Sequence, residues 1–130
     1  MSGIKKSWNS RIRVFSFITQ MQYAYAIADA VVSRAGALSI SELMLSAKPS
    51  IFVPSPNVAE DHQTLNAQYM ISHGAALMVA DSMAREILVK TALSLLLDER
   101  QQNTLSENIA AMGRPNAAVD IAKKIIELAA

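Results

Sequence analysis

The stretch that most limits what this chain can fold into is VVSRAGALSISE, residues 31–42. A short β-branched run enters a glycine turn at Gly36, and the turn opens directly into a helix that carries Glu42 on its second turn. Strand, glycine turn and helix in that order are the opening unit of a parallel α/β sheet. The chemistry of the turn is equally specific. Free backbone N–H groups and the positive end of the helix dipole attract phosphate, and a carboxylate one or two turns in can accept hydrogen bonds from sugar hydroxyls. The segment predicts half of a nucleotide site.

The rest of the chain alternates between strand-like and helix-like periods. Ile12 to Phe15 is a short strand candidate, and Met21 to Ala28 is an alanine-rich helical stretch that stops before Asp29. Ala30 to Ser33 is a second strand. Within Ser39 to Ala47, the residues Ile40, Leu43 and Met44 follow the i, i+3, i+4 spacing of one buried helix face, and Pro49 stops the helix because the residue before a proline avoids the α region. Ile51-Phe52-Val53 is uninterruptedly apolar, as a parallel strand covered on both faces should be. Pro54-Ser55-Pro56-Asn57 cannot continue a ladder and forms a loop at that strand's C-terminal end.

Asp61 to Ser72 is helical, Gly74 ends it, and Ala75 to Val79 is a further strand. From Asp81 onward only helices are expected: Ser82 to Leu97, Glu99 to Met112, a break at Gly113-Arg114-Pro115-Asn116, and Ala117 to Leu128. This order predicts an α/β fold: a Rossmann-like parallel sheet with flanking helices, right-handed crossovers and a helical C-terminal third. Ligands of such sheets bind at the carboxyl ends of the strands. Two loops lie at that edge, Arg34 to Leu38 and Pro54 to Glu60. The four strand candidates fall short of the about six of a complete doubly wound domain.

Composition narrows the class of partner. With 130 residues the chain can bury one core, and 52% hydrophobic with 18% charged residues suits a globular domain. A net charge of +1 and no basic run longer than Lys5-Lys6 leave no nucleic-acid footprint. The absence of cysteine removes disulfides and thiolate metal sites and fits a reducing compartment. The start, MSGIKKSWNSRIRVFSF, has no apolar stretch of signal-peptide length, and no segment reaches the about 20 apolar residues of a spanning helix. A cytoplasmic protein is expected.

Three motifs carry a family resemblance: FITQMQYAYAIAD at Phe17 to Asp29, SRAGALSISE at Ser33 to Glu42, and FVPSPNVAEDHQTLNA at Phe52 to Ala67. In this order and at this spacing they resemble the C-terminal half of the MurG family of GT-B glycosyltransferases. These enzymes add N-acetylglucosamine from UDP-GlcNAc to the undecaprenyl-linked muramoyl pentapeptide in bacterial peptidoglycan synthesis, making lipid II from lipid I. The resemblance runs from about Arg11 to the end. It implies an N-terminal tail over residues 1–10 and an incomplete GT-B C-terminal, UDP-GlcNAc-binding domain over residues 11–130.

The same resemblance implies a donor site. Ile18, just after the first expected strand, matches the position whose backbone reads the uracil edge. Gly36, Ala37, Leu38 and Ser39 match the helix start that meets the diphosphate and its ribose, and Glu42 matches the acid that binds the ribose hydroxyls. Gln63 and Asn66, at i and i+3, are amides able to donate and accept as hexose hydroxyls require, and they match the sugar contacts of the family. His62 departs from the pattern: many relatives carry another Gln there, and the preceding loop is one residue longer here. His62 and His73 have no metal-ligand spacing, and neither a metal nor another cofactor is expected, in keeping with GT-B chemistry.

Arg34 flanks the turn and is better placed to pair with a carboxylate than with phosphate. Met21, Tyr23 and Tyr25 suit core and helix surface, and Lys123-Lys124 suits a solvated face.

Inverting glycosyl transfer needs a base on the acceptor hydroxyl and electrostatic help for the departing UDP, and only the second can come from these residues. The acceptor site, the catalytic base and the membrane-contact patch belong to the family's N-terminal domain. The expectation is therefore a donor-binding part, inactive alone, of an enzyme that works at the inner face of the membrane. Other readings are a non-catalytic nucleotide-sugar or interaction module and part of a UDP-GlcNAc 2-epimerase-like enzyme.

Overall fold

A computed structural model describes residues 11–57 and 62–113. Among them, three strands form one sheet in the order β1 (Val31–Ser33), β2 (Ser50–Phe52), β3 (Leu77–Met78), and both pairings are parallel. Val31 pairs with Ser50 and Ile51 with Leu77. Five helices accompany the sheet: α1 (Met21–Ile27), α2 (Ala37–Ser46), α3 (His62–Ser72), α4 (Ala84–Leu97) and α5 (Glu99–Met112). The expected parallel α/β sheet with a helical end is what the chain forms.

The central strand explains the layering. Successive side chains of a strand point to opposite faces, so the unbroken apolar run of β2 must be covered twice. Phe52 packs on one face with Tyr25 of α1, Ile40 and Leu43 of α2, Met70 of α3 and Ile109 of α5. Ile51 and Val53 pack on the other with Val79, Leu95 of α4 and Leu105 of α5. Ser50 is wholly buried at the start of the strand, and its hydroxyl donates to the carbonyl of Lys48 at 2.9 Å.

Helix ends fix how these layers meet. Helix α2 ends before Pro49 as expected, but through Ala47 in the left-handed region at φ 56°, with the Ala47 N–H returning to Leu43 O at 2.9 Å. The Ala47 carbonyl then accepts from Ser106 Oγ of α5 at 2.6 Å. Gly113 closes α5 against α2 so tightly that a Cβ there would lie 2.9 Å from both Cβ and the carbonyl oxygen of Met44. Gly74, at φ +63°, ends α3 in a conformation that side chains disfavour, and its carbonyl accepts from Asn108 Nδ2 of α5 at 2.9 Å. Asp98 caps α5 by accepting the Gln101 N–H at 3.0 Å.

Two expectations need correction. Ile12 to Phe15 is not a strand: the segment is irregular, with Ile12 47% and Phe15 43% exposed. An apolar run becomes a strand only where a ladder partner receives its backbone groups, and β1 pairs with β2 alone among the described residues. The sheet therefore has three described strands instead of four. The helix expected from Ser82 begins at Ala84, because Asp81–Met83 form a 3-10 turn first. The tail 1–10, residues 58–61 and the helix expected over Ala117 to Leu128 lie outside the described residues.

Candidate functional site

The carboxyl ends of β1 and β2 and the turn after β3 meet along one edge of the sheet. Arg34, the residue after β1, joins them. Its Nη1 donates to Asp81 Oδ1 at 2.6 Å, to Val53 O at 3.3 Å and to Pro54 O at 3.4 Å. The carboxylate pairing expected for Arg34 is thus present, with a partner 47 residues away in sequence.

Next along the chain, Ala35 is fully buried and Gly36 is the N-cap of α2. Gly36 has an ordinary extended backbone, φ −72° and ψ 150°, and a Cβ there would meet only Gln63 Nε2, at 3.8 Å. Neither strain nor crowding by the protein therefore calls for glycine; the space in front of the turn is left open instead. No side chain caps α2. The N–H groups of its first turn, at Ala37, Leu38 and Ser39, have no intrahelical acceptors, and Leu38 is 74% exposed. The helix starts two residues earlier than Ser39, the expected beginning, because Gly36 already accepts the Ile40 N–H at 3.0 Å.

Glu42 lies five residues beyond Ala37, a rise of about 7.5 Å along α2. Its Oε2 accepts from the Tyr25 hydroxyl of α1 at 3.0 Å. Burial pushes the Tyr25 hydroxyl up from 10.0 to about 12, and the hydrogen bond to Glu42 and the charge of that carboxylate act in the same direction. The pair lines a groove of about 530 Å³ between α1 and α2, together with Met21, Gln22, Leu45 and Lys48. Ile18 precedes α1 by three residues and is 38% exposed; it follows an irregular segment, not the strand expected before it.

Gln63 and Asn66 project from α3 onto the turn after β1. Gln63 Oε1 accepts from the N–H of Ala35 at 3.2 Å and from that of Ser55 at 2.9 Å, and Asn66 Nδ2 donates to Ala35 O at 3.1 Å. His62 is exposed at the first position of α3. His73, at the far end, contacts the Tyr69 ring and carbonyl. Among the described residues no group of three or more His, Cys, Asp or Glu could hold a metal ion.

The structure therefore gathers all the candidate residues except Ile18 and His62 into two places. Gly36 to Ser39, Gln63 and Asn66 surround the start of α2, while Glu42 faces the groove beside α1. Two residues of this edge were not singled out in the sequence, namely Tyr25 as partner of Glu42 and Asp81 as partner of Arg34. Neither separation, 17 or 47 residues, leaves a local signal.

A parallel sheet flanked by helices, with an uncapped helix start at its carboxyl edge, places the chain among the Rossmann-like α/β domains. Within that class the chain belongs to the family described as the glycosyltransferase family 28 C-terminal domain, whose model matches residues 3–125. It is 52% identical over 126 residues to a protein of Cytophaga hutchinsonii named UDP-N-acetylglucosamine–N-acetylmuramyl-(pentapeptide) pyrophosphoryl-undecaprenol N-acetylglucosamine transferase, covering 97% of this chain and 34% of the relative. A protein of the same name from Porphyromonas gingivalis is 54% identical over 117 residues, covering 88% of this chain and 31% of the relative. The crystal structure of Acinetobacter baumannii MurG matches with a TM-score of 0.70 and 29% identity, over 88% of this chain and 33% of that one. The chain thus spans about a third of the length of these relatives. The resemblance drawn from the three motifs is that of the family shown here.

Proposed function

We propose that this chain is the donor-binding part of a UDP-GlcNAc-dependent hexosyltransferase that makes lipid II from lipid I. The observation that carries this reading is the uncapped start of α2 with Glu42 one further turn along the same helix, in a chain of the glycosyltransferase 28 family. The first-turn N–H groups of Ala37, Leu38 and Ser39 receive the diphosphate, and Glu42 accepts the ribose hydroxyls. The backbone of Ile18 reads the uracil edge. Gln63, Asn66 and His62 face the N-acetylglucosamine.

In this reading the helix start also stabilises the charge that develops on UDP as the glycosidic bond breaks, the part of the transfer that preorganised backbone dipoles can supply. The base that deprotonates the acceptor hydroxyl, and the site for the lipid-linked muramoyl pentapeptide, lie in the further two thirds that the relatives carry. The 130 residues alone bind donor without transferring it. Among the described residues no helix is long and apolar enough to cross a membrane; the lipid-linked acceptor brings the whole enzyme to the inner face of the membrane from the cytoplasm.

Calorimetric titration of UDP and UDP-GlcNAc into the chain and its Glu42→Ala variant tests the assignment. Charge-assisted hydrogen bonds to the ribose are worth about 1.5–3 kcal/mol, so both ligands should weaken by roughly ten- to a hundredfold. Unchanged affinity for UDP in Glu42→Ala would remove the nucleoside assignment.

A further inference from the structure

Two amides of α3 hold the turn between β1 and α2 through two hydrogen bonds, and a third bond from one of them reaches the loop after β2. The two peptide groups that flank Ala35 are held one by each amide: Gln63 Oε1 accepts the Ala35 N–H, and Asn66 Nδ2 donates to the Ala35 carbonyl. Gln63 Oε1 at the same time accepts the Ser55 N–H, so one oxygen joins the ends of β1 and β2. Ala35 is fully buried, as is Ala67 on the next turn of α3. A buried peptide without partners is costly, and these amides supply the partners at Ala35.

We infer that Gln63 and Asn66 are positioning residues for the nucleotide: by fixing both peptides of Ala35 they set the direction in which Gly36 enters α2, and with it the aim of the N–H groups of Ala37, Leu38 and Ser39. This rests on the nucleotide reading above and extends it. Amides that only touched the sugar would leave affinity for UDP, which has no sugar beyond its ribose, as it is. Amides that hold the turn govern UDP and UDP-GlcNAc together.

The chemistry of the two hydrogen bonds separates positioning from general support of the fold. Gln63 acts as an acceptor, so Gln63→Glu keeps the contact to both N–H groups; Asn66 acts as a donor, so Asn66→Asp sets an acceptor against the Ala35 carbonyl. Amide hydrogen exchange in the ligand-free chain reads this directly. Gln63→Ala is expected to speed exchange at Ala35 and Ser55 by about tenfold, the size of one net hydrogen bond, with β2 exchange unchanged, and Gln63→Glu to restore protection.

In titrations, Gln63→Ala and Asn66→Asp are expected to weaken UDP by about tenfold or more. Should Gln63→Ala fail to fold, Asn66→Asp and Asn66→Ala carry the same comparison. UDP affinity unchanged in these variants overturns the inference, whether or not exchange at Ala35 rises. Wild-type protection at Ala35 and Ser55 in Gln63→Ala overturns it as well. If the unaltered chain takes up no UDP, it is the nucleotide reading that fails, and the exchange measurement alone decides whether these amides hold the turn.

Discussion

The Tyr25 hydroxyl donates to Glu42 Oε2 across the seam between α1 and α2, at 3.0 Å. It gives the carboxylate a fixed direction, and it makes the phenol harder to ionise. The folded-state value, about 12, lies above the ordinary 10.0. A group raised in this way contributes stability that is complete below its unfolded value and is lost as pH climbs through the folded one, here between pH 10 and about 12. Alkaline denaturation should therefore steepen over that window in the wild type and less so in Tyr25→Phe. A difference spectrum at the phenolate band should place the ionisation lost in Tyr25→Phe near 12.

Tyr25→Phe should also affect the site. In the proposed donor site, Glu42 without its anchor would be ordered by the ligand itself, and affinity for UDP should fall by about threefold to tenfold, less than in Glu42→Ala. Titration of the two variants side by side tests the ranking; Tyr25→Phe binding UDP as well as wild type would show that the orientation of Glu42 does not matter.

Gly113 has no room for a methyl group, since the added carbon would lie 2.9 Å from the Met44 carbonyl oxygen on α2. Backbone cannot give way as a flexible side chain can. Gly113→Ala should cost about 1–3 kcal/mol, read as a lower denaturant midpoint at unchanged slope.

Ala47 presents the opposite case. It occupies the left-handed region at φ 56° where glycine carries no Cβ penalty, and its carbonyl bond to Ser106 does not involve its side chain. Ala47→Gly should stabilise the chain by about 1 kcal/mol and raise the thermal midpoint by about 4 °C. A fall in the midpoint would show that the methyl group packs more than it strains.

What could be read along the chain was what local patterns encode. The apolar run at Ile51 to Val53 announced a strand buried on both faces, and Ile40, Leu43 and Met44 announced the inner face of α2. The first strand failed because Ile12 to Phe15 has the composition of a strand without a neighbour to pair with, and composition does not report neighbours. The start of α2 was missed by two residues because an extended Gly36 needs no capping side chain, so no Ser, Thr, Asp or Asn marked the true boundary. At the candidate site, the motifs named residues to consider, but not the hydrogen bonds that orient them. Gln63 and Ala35 are 28 residues apart and Arg34 and Asp81 are 47 apart; such pairs exist only once the sheet has brought its strand ends together.

From its place just after β1, Arg34 reaches with its guanidinium to the end of β2 and to the turn after β3. A ligand of the proposed site would therefore meet, along residues 34–35 and 53–55, an edge whose atoms are already committed to one another. Little conformational entropy is left there to lose on binding. This portion of the rim should keep its shape to within about 1 Å between the empty and occupied states, and the rate of capture should be governed by encounter, not by waiting for these loops to assemble.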